Sequence, residues 1–285
     1  QANHNLIFLK FRKMSTVIHS SAIVEDGVTL GTGVKIGPFA VVESGAVIGE
    51  KCLVESHAVV KGGARIGKKC RIGHFSVVAG DPQHLSFDVG LKSYVRMGDG
   101  CRIGEGVTLH RSMYENESTS VGHGVFLMGN SHVAHDSKLG DEVILANGAL
   151  LGGHVEIGSC AFIGGGAGIH QFVRVGAGAM VGGLAEISAD IGPHLLVVGR
   201  NGVFGLNITG LKRRNTPANE ILLLKKLYKE LLMEHGNISN KARLLLKSDS
   251  TYELTFLGRE FLEFFTAGAR GFARHSGKSN KIPKQ

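Results

Sequence analysis

The residues of this chain that could carry out chemistry lie closest together between residues 130 and 172. Histidines concentrate there, at His132, His135, His154 and His170. Asp136 follows His135 directly. An imidazole beside a carboxylate supplies the parts of a general base, because the acid orients the ring and the ring accepts a proton. The pattern therefore predicts a base-catalysed reaction centred on His135.

The spacing of these residues predicts that they meet in space. His135, Gly153 and Gln171 follow one another at intervals of 18 residues, and Asp136, His154 and Phe172 repeat the interval one position later. Residues that recur with the period of a repeating fold occupy equivalent positions in successive turns. We therefore predict a patch with two histidines, an acid and the backbone N–H of a glycine, which suits general-base catalysis with oxyanion stabilisation. Alternatively, His132 and His170 are exposed polar side chains at the corners of the coil and have no function.

The interval of 18 comes from a six-residue repeat that runs from Ile18 to Ile187 with two breaks. Large apolar residues mark every sixth position, and four residues after each stands a small one, such as Ala40 or Ala46. Short parallel strands whose inward positions alternate large and small stack into a narrow β-helix with three faces. The sequence thus predicts a mainly β fold over residues 18–195, although the period alone does not fix the hand of the coil.

Two insertions interrupt the repeat, near residues 79–96 and 110–120. Loops that leave a solenoid usually lie on one functional face. The first insertion contains Gln83 and His84, whereas the second is polar and typical of a surface loop.

The repeat ends after Ile187, and residues 196–275 predict a linker and a C-terminal α-helical domain. Thr216-Pro217 predicts a helix N-cap followed by proline at the first helical position. Further helices are predicted at 240–247 and 257–274, and residues 276–285 are predicted to be a disordered tail.

Residues 1–17 precede the repeat and are predicted to be an N-terminal extension. Residues 1–13 are basic and contain no acidic side chain. That composition suits the remnant of an organelle transit peptide, which would place the protein in the mitochondrial matrix. It suits an expression artefact equally well, in which case we expect a cytoplasmic protein.

The charge and composition of the chain indicate which kinds of molecule it would bind. The formal net charge of +8 favours an acidic partner. Nucleic acid is not expected, because aromatic residues are sparse, Trp is absent, and basic and aromatic residues do not interleave. No apolar stretch approaches the length of a membrane span, so we expect a soluble protein without an integral membrane segment. The four cysteines form no C-x-x-C pair and are predicted to be reduced core residues.

Five segments are more specific than the repeat: Asn130-Ser131-His132-Val133-Ala134-His135-Asp136, Leu145-Ala146-Asn147, Leu151-Gly152-Gly153-His154-Val155, Ile169-His170-Gln171-Phe172 and Asn207-Ile208-Thr209-Gly210-Leu211-Lys212-Arg213-Arg214. With them the chain resembles the UDP-N-acetylglucosamine O-acyltransferases, the first enzymes of lipid A biosynthesis. The resemblance implies a homotrimer of left-handed β-helices with active sites in the clefts between subunits. It also implies transfer of a 3-hydroxyacyl group from acyl carrier protein to the 3-hydroxyl of UDP-N-acetylglucosamine, with no cofactor or metal.

The resemblance assigns roles to individual residues. His135 matches the general base, Asp136 the acid that orients it, and Gly153 the backbone N–H that holds the oxyanion. Gly183 matches the position that limits acyl-chain length, where a glycine leaves room for a long chain. The positions that match substrate contacts are Gln83, His132, His154, His170 and Gln171, with Asn207, Arg213 and Arg214 at the nucleotide end.

Three positions depart from the family pattern. His84 stands where an acidic residue is usual, Ser86 where Lys is usual, and Thr209 where an acid is usual. These changes affect the expected substrate contacts more than the base.

Three alternatives stay open at the level of sequence. The N-acyltransferase of the same pathway shares the fold but normally carries a separate N-terminal uridine-binding domain. A hexapeptide-fold zinc carbonic anhydrase would use histidines such as His132 and His135 as ligands. A catalytically silent scaffold is the third, and the intact base, acid and glycine argue against it.

Overall fold

The computed structural model describes residues 15–247 and 254–276, in which the chain forms a left-handed parallel β-helix followed by a helical region. Three sheets form the faces of the coil, named here A, B and C. From β1 to β26 successive strands lie on different faces, and strands that are three apart in sequence pair in parallel. The predicted fold class is confirmed.

Most strands are two residues long, as a six-residue repeat requires. Face A holds β1 (Val17–Ile18), β4 (Lys35–Ile36), β7 (Leu53–Val54), β10 (Arg71–Ile72), β13 (Arg102–Ile103), β16 (Phe126–Leu127), β19 (Ile144–Leu145), β22 (Phe162–Ile163), β25 (Met180–Val181), β27 (Leu195–Val198), β28 (Gly202–Leu206) and β29 (Arg274–His275). Face B holds β2 (Ile23–Val24), β5 (Val41–Val42), β8 (Val59–Val60), β11 (Val77–Gly80), β14 (Thr108–His110), β17 (His132–Val133), β20 (Leu150–Leu151), β23 (Gly168–Ile169) and β26 (Glu186–Ile187). Face C holds β3 (Thr29–Leu30), β6 (Val47–Ile48), β9 (Ala64–Ile66), β12 (Tyr94–Met97), β15 (Ser118–Val121), β18 (Lys138–Leu139), β21 (Glu156–Ile157) and β24 (Arg174–Val175).

The three edges between the faces decide which corner side chains come together. The BC edge is formed by corners such as 134–137, 152–155 and 170–173, the CA edge by 158–161 and 176–179, and the AB edge by 146–149 and 182–185. Corners on one edge are neighbours in successive coils, about 4.8 Å apart.

The inside of the coil is filled by the two sets of residues that the sequence alternates. Large residues such as Ile48 and small ones such as Ala46 are buried to 1% exposure or less. Cys52, Cys70 and Cys101 take small inward positions and are buried, and all four cysteines of the chain are free thiols. The prediction of reduced core cysteines is confirmed for these three.

Corner residues of the BC edge adopt a left-handed backbone that is unusual outside glycine. The φ angle is +61° at Asp136, +59° at His154 and +65° at Phe172. The coil holds these corners with hydrogen bonds between successive turns, from the His154 N–H to the His135 carbonyl and from the Phe172 N–H to the Gly153 carbonyl, both 3.0 Å long. The side chains therefore stack one above the next, and the rings of His154 and Phe172 lie 4.6 Å apart.

Both insertions that interrupt the repeat leave the coil at the BC edge. The chain leaves the coil between β11 and β12, over residues 81–93, and again between β14 and β15, over residues 111–117. Each loop joins face B to face C. The loops therefore lie along the edge that carries the corner at residues 134–137.

These loops are shorter than the predicted insertions near 79–96 and 110–120. Gly80 pairs with His110, and Tyr94 pairs with Ser118, so the residues at the loop ends belong to the sheets. The sequence pattern missed these residues because their strands depart from the six-residue spacing.

The described part of the C-terminal region, residues 196–247 and 254–276, packs four α-helices against the end of the coil. They are α1 (Ile208–Arg213), α2 (Ala218–Tyr228), α3 (Ile238–Lys247) and α4 (Phe256–Phe264), and a π-helical turn (Lys229–Met233) continues α2. Leu224, Leu227 and Phe261 are fully buried between them. The predicted helical region is present, although its details differ from the sequence prediction in two places.

The predicted N-cap at Thr216 is wrong, because α2 starts at Ala218 after Pro217 without a side-chain cap. The helix predicted over 257–274 ends at Phe264. Beyond it the chain returns to the coil, where Asp190 exchanges two backbone hydrogen bonds with Gly271 and Ala273, each 2.9 Å long. These bonds replace the helical ones and lead the chain into β29.

Most of the residues predicted to form the N-terminal extension and the C-terminal tail lie outside the part of the chain that the structure describes. Of the predicted extension 1–17 and tail 276–285, all but residues 15–17 and 276 lie outside the described residues. In residues 15–247 and 254–276, none of the helices combines the length and apolarity that crossing a membrane requires.

Candidate functional site

The BC edge brings together the residues that the 18-residue spacing singles out. His135 and Asp136 occupy the corner after β17, and Gly153 and His154 occupy the corner one coil later. The Nδ1 of His135 lies 2.8 Å from Oδ2 of Asp136. An ionised carboxylate only accepts hydrogen bonds, so Nδ1 carries the proton and the lone pair is on Nε2. This is the arrangement that a general base needs.

The Asp136 carboxylate has further donors that keep it ionised. The Ser112 hydroxyl donates to Oδ1, and the Met113 N–H donates to Oδ2 at 3.2 Å. Burial raises the pKa of Asp136, but the hydrogen bonds from His135, Ser112 and Met113 outweigh it and leave the pKa below its ordinary value. The acid therefore stays charged beside the imidazole at neutral pH.

The sequence analysis missed Ser112 and Met113, which lie in the second loop. That loop was expected to be a surface loop because it is polar. Its position directly after β14, one coil before the corner of His135, is the signal that could have found it.

Gly153 faces the imidazole of His135 closely. A Cβ atom at Gly153 would lie 2.7 Å from Cε1 and 2.8 Å from Nε2 of His135, closer than real Cβ contacts. Only glycine leaves the ring in place here. Among the described residues, the N–H of Gly153 has no hydrogen-bond acceptor, so it is available to a bound group.

A groove of about 510 Å³ runs over face B and ends at this corner. Of the predicted residues, it is lined by Gln83, His132, His135, Gly153, His170 and Gln171. His84 also lines it, and its ring lies 6.1 Å from that of His135. The structure thus brings six of the twelve predicted site residues together in one groove, while Asp136 and His154 lie at the corners beside it.

The histidines around the base are held neutral. Burial lowers the pKa of His110 to about 4, helped by His132 and His135, and burial followed by His135 lowers the pKa of His132. Burial also lowers the pKa of His154, against the opposing effect of Asp136. These rings therefore act as hydrogen-bonding groups rather than as cations. His132 already does so, with Nδ1 2.7 Å from the Thr108 hydroxyl.

His110 is a further lining residue that the sequence analysis missed. It is 5% exposed, and its Nδ1 has no hydrogen-bond partner among the residues that the structure describes. Its position at the end of β14 breaks the six-residue pattern, which is why the repeat gave no signal for it.

The residues predicted for the nucleotide end lie on a different edge of the same chain. Asn207 caps α1, accepting from the Gly210 N–H at 2.9 Å, and its amide donates to the Gly178 carbonyl at 3.0 Å. Arg214 reaches to 3.3 Å from Nδ1 of His194. Gly178 and His194 belong to the CA edge. Asn207, Arg213 and Arg214 therefore do not meet His135 within one chain.

Gly183 lies on the third edge, AB, in the corner between β25 and β26. A Cβ atom there would lie 3.3 Å from the Gly165 carbonyl oxygen, a tight contact with the backbone of the neighbouring coil. The predicted site residues thus divide among three edges of one chain.

One group of side chains has the geometry to hold a metal ion among residues 15–247 and 254–276. Ligand atoms of His135, Asp136 and His154 lie within 4.8 Å of one another. The Nδ1 of His135 is already engaged by Asp136, and His132, named in the zinc alternative, does not belong to the group. The hydrogen-bonded pair accounts for this geometry without a metal.

Comparisons with known proteins show which family the chain is similar to. A family model described as Udp N-acetylglucosamine O-acyltransferase, domain 2, matches residues 190–273, and one described as bacterial transferase hexapeptide matches 45–80 and 118–153. The acyl-[acyl-carrier-protein]–UDP-N-acetylglucosamine O-acyltransferase of Chlorobium phaeobacteroides is 53% identical over 89% of this chain and 96% of that protein. The protein of the same name from Mesorhizobium japonicum is 42% identical over 77% of this chain and 79% of that protein.

Solved structures give the same result. The UDP-N-acetylglucosamine acyltransferase of Francisella novicida superposes with a TM-score of 0.86 at 31% identity, over 92% of this chain and 95% of that one. The coil and its matched repeats define a hexapeptide-repeat acyltransferase. Within that class, the chain belongs to the UDP-N-acetylglucosamine O-acyltransferase family. The relatives described here are bacterial, so they give no support to the predicted mitochondrial location.

The buried His194 predicts how stability depends on pH. Burial, followed by the charge of Arg214, lowers the pKa of His194 to about 4. The unfolded chain therefore binds the extra proton between about pH 6.5 and pH 4, and the folded state loses stability as the pH falls through that window. We expect His194→Asn, which suits the left-handed backbone there, to reduce this loss by about 3 kcal/mol. Denaturant unfolding of both proteins between pH 7.5 and 4 measures it, and equal pH dependence would contradict the assignment.

Proposed function

We propose that this chain transfers a 3-hydroxyacyl group from acyl carrier protein to the 3-hydroxyl of UDP-N-acetylglucosamine, the first step of lipid A biosynthesis. The observation that carries the proposal is the 2.8 Å contact of His135 with Asp136, in a groove that the family's repeat builds. The names of the relatives support both substrates. The net charge of +8 suits an acidic carrier protein.

In this proposal His135 is the general base. Its Nε2 takes the proton of the sugar 3-hydroxyl while that oxygen attacks the thioester carbon. The carbon–sulfur bond then breaks, and the imidazolium returns the proton to the departing thiolate. Asp136 fixes the tautomer and stabilises the imidazolium, as the acid of a triad does. A base of this kind contributes about 100- to 10,000-fold to the rate.

The backbone N–H of Gly153 is proposed to hold the oxygen of the thioester carbonyl as it becomes negative. An oxyanion donor must already point at the place where charge develops. Gly153 is proposed as this donor, because its N–H has no acceptor among the described residues and a Cβ atom there would lie 2.8 Å from Nε2 of His135.

Polar groups that line the groove, together with His154 at the neighbouring corner, are proposed to bind the substrates. Neutral imidazoles suit hydrogen bonds with sugar hydroxyls, and the lowered pKa values of His132 and His154 keep those two rings neutral near pH 7. His84 takes the place of the family's acid and lines the same groove, so an imidazole replaces a carboxylate at that contact. The groups given this role are Gln83, His132, His154, His170 and Gln171.

The chain is proposed to act as a homotrimer, because one chain does not hold a complete site. His135 lies on the BC edge, whereas Asn207, Arg213 and Arg214 lie beside the CA edge. If the CA edge of one subunit adjoins the BC edge of the next, a closed ring places the arginines beside the base. Guanidinium groups suit the nucleotide diphosphate, because their planar donors pair with phosphate oxygens.

The groove beside His135 runs over face B, and Gly183 lies at the AB border of that face, in the corner before β26. At this border Gly183 is proposed to limit the length of the acyl chain. A glycine there leaves room for a long chain.

The first test is acyl transfer by the purified chain from 3-hydroxyacyl carrier protein to UDP-N-acetylglucosamine. We expect His135→Ala to lower kcat by about 100-fold or more, because the proton then has no acceptor. His57→Ala is a matched control, since His57 is also a corner histidine stacked on a phenylalanine but lies on the AB edge.

Three outcomes would contradict the proposal. Equal transfer by wild type and His135→Ala would exclude His135 as the base. Transfer only to the amino group of a UDP-3-O-acylglucosamine would indicate the N-acyltransferase instead, and dependence on bound zinc would indicate the metal alternative.

A second test addresses the shared site. Chains with His135→Ala are unfolded and refolded together with chains that carry both Arg213→Ala and Arg214→Ala. Random trimers would have both intact parts at about one quarter of their clefts, so we expect about one quarter of the wild-type activity to return. If each site were built from one chain, the mixture would stay as inactive as its two components.

A further inference from the structure

We infer that Ser112 is a positioning residue for the transfer reaction: its hydroxyl fixes the Asp136 carboxylate so that the carboxylate faces Nδ1 of His135. The inference rests on the proposed function, in which His135 is the base. Ser112 lies in the loop at residues 111–117, which the sequence pattern gave no catalytic part.

The direction of the Ser112 hydroxyl is determined by its partners. The Tyr114 N–H donates to Ser112 Oγ at 3.0 Å, so one lone pair of that oxygen is occupied. The hydroxyl has a single proton to donate, and Oδ1 of Asp136 accepts it. Because the carboxylate is ionised, it cannot donate in return. The Ser112 proton therefore points at Asp136 in every arrangement of this network.

The two oxygens of Asp136 have different partners as a result. Oδ1 accepts from Ser112, while Oδ2 accepts from Nδ1 of His135 at 2.8 Å and from the Met113 N–H at 3.2 Å. Rotation of the carboxylate would break the bond from Ser112. The hydroxyl thus holds Oδ2 in line with the imidazole.

The Ser112 backbone is itself anchored to the start of β12. The Ser93 hydroxyl donates to the Ser112 carbonyl at 2.6 Å, and the Ser112 N–H donates to the Tyr94 carbonyl at 3.4 Å. Ser112 is 0% exposed, so water does not compete for its hydroxyl. The backbone of Asp136 is anchored as well, since its N–H donates to the Thr119 hydroxyl at 2.7 Å.

The experiment compares Ser112→Ala and Ser112→Cys with wild type in steady-state acyl transfer. A thiol is nearly the shape of the hydroxyl but a weak donor. We expect kcat to fall about 10- to 100-fold in Ser112→Ala and less in Ser112→Cys, with the KM of each substrate within about twofold of wild type. Nitrogen NMR of labelled imidazoles, assigned with His135→Ala, reports the tautomer of His135 without substrate. We expect the variants to lose the single Nδ1–H tautomer of wild type.

Ser76→Ala is the matched control. Ser76 is also 0% exposed, donates to the Gly104 carbonyl at 2.6 Å and accepts from the Val107 N–H at 3.3 Å, far from Asp136. It should lower the unfolding midpoint without changing kcat or the His135 tautomer.

The inference is overturned if Ser112→Ala reduces kcat no more than Ser76→Ala, or if the tautomer of His135 is unchanged. If Ser112→Ala does not fold, wild-type kcat and tautomer in Ser112→Cys overturn it equally. If wild type transfers no acyl group, the proposed function fails, and the NMR comparison still decides whether Ser112 positions the pair.

Discussion

The hydrogen bonds between successive coils are the interactions on which the rest of the structure depends. These bonds keep the strands of neighbouring coils in register, so residues 18 apart share an edge wherever the repeat is unbroken. This register places Gly153 beside His135 and stacks Phe172 on His154. A functional site on this scaffold is therefore built from separate coils at fixed heights, and the precision of the chemistry comes from the precision of the stacking.

Burial and hydrogen bonding then give different charges to Asp136 and to the histidines close to it. Hydrogen bonds from His135, Ser112 and Met113 outweigh the burial of Asp136 and keep it charged. Burial keeps the imidazoles of His110 and His132 neutral. One negative charge in a setting of neutral rings directs the proton of His135 to Nδ1 and frees Nε2 for the substrate.

The sequence predicted those parts of the site that follow the repeat. His135, Asp136, Gly153 and His154 share an edge because their numbers differ by the length of one coil, and that relation is visible without a structure. Ser112 and His110 were missed because both lie where the repeat breaks, and a loop's path is decided by backbone contacts that no period encodes. The prediction of one helix over 257–274 was wrong because backbone contacts decide the path there as well. Hydrogen bonds to Asp190 turn the chain back to the coil. The separation of Arg213 and Arg214 from the base also needed the structure, because it depends on which edge each reaches.

The measurement that tests this account most directly is acyl transfer by Gly153→Ala. The added methyl group would lie 2.7 Å from the His135 ring, and Gly153 does not use a left-handed backbone, so the ring should move while the fold persists. Gly129→Ala, at an AB corner where the nearest atom is the end of the Asn147 side chain at 3.2 Å, is the control. The account predicts that Gly153→Ala keeps nearly the wild-type unfolding midpoint and loses about 100-fold or more of kcat, while Gly129→Ala keeps both. A Gly153→Ala protein with wild-type kcat would contradict the assignment of this corner as the catalytic centre.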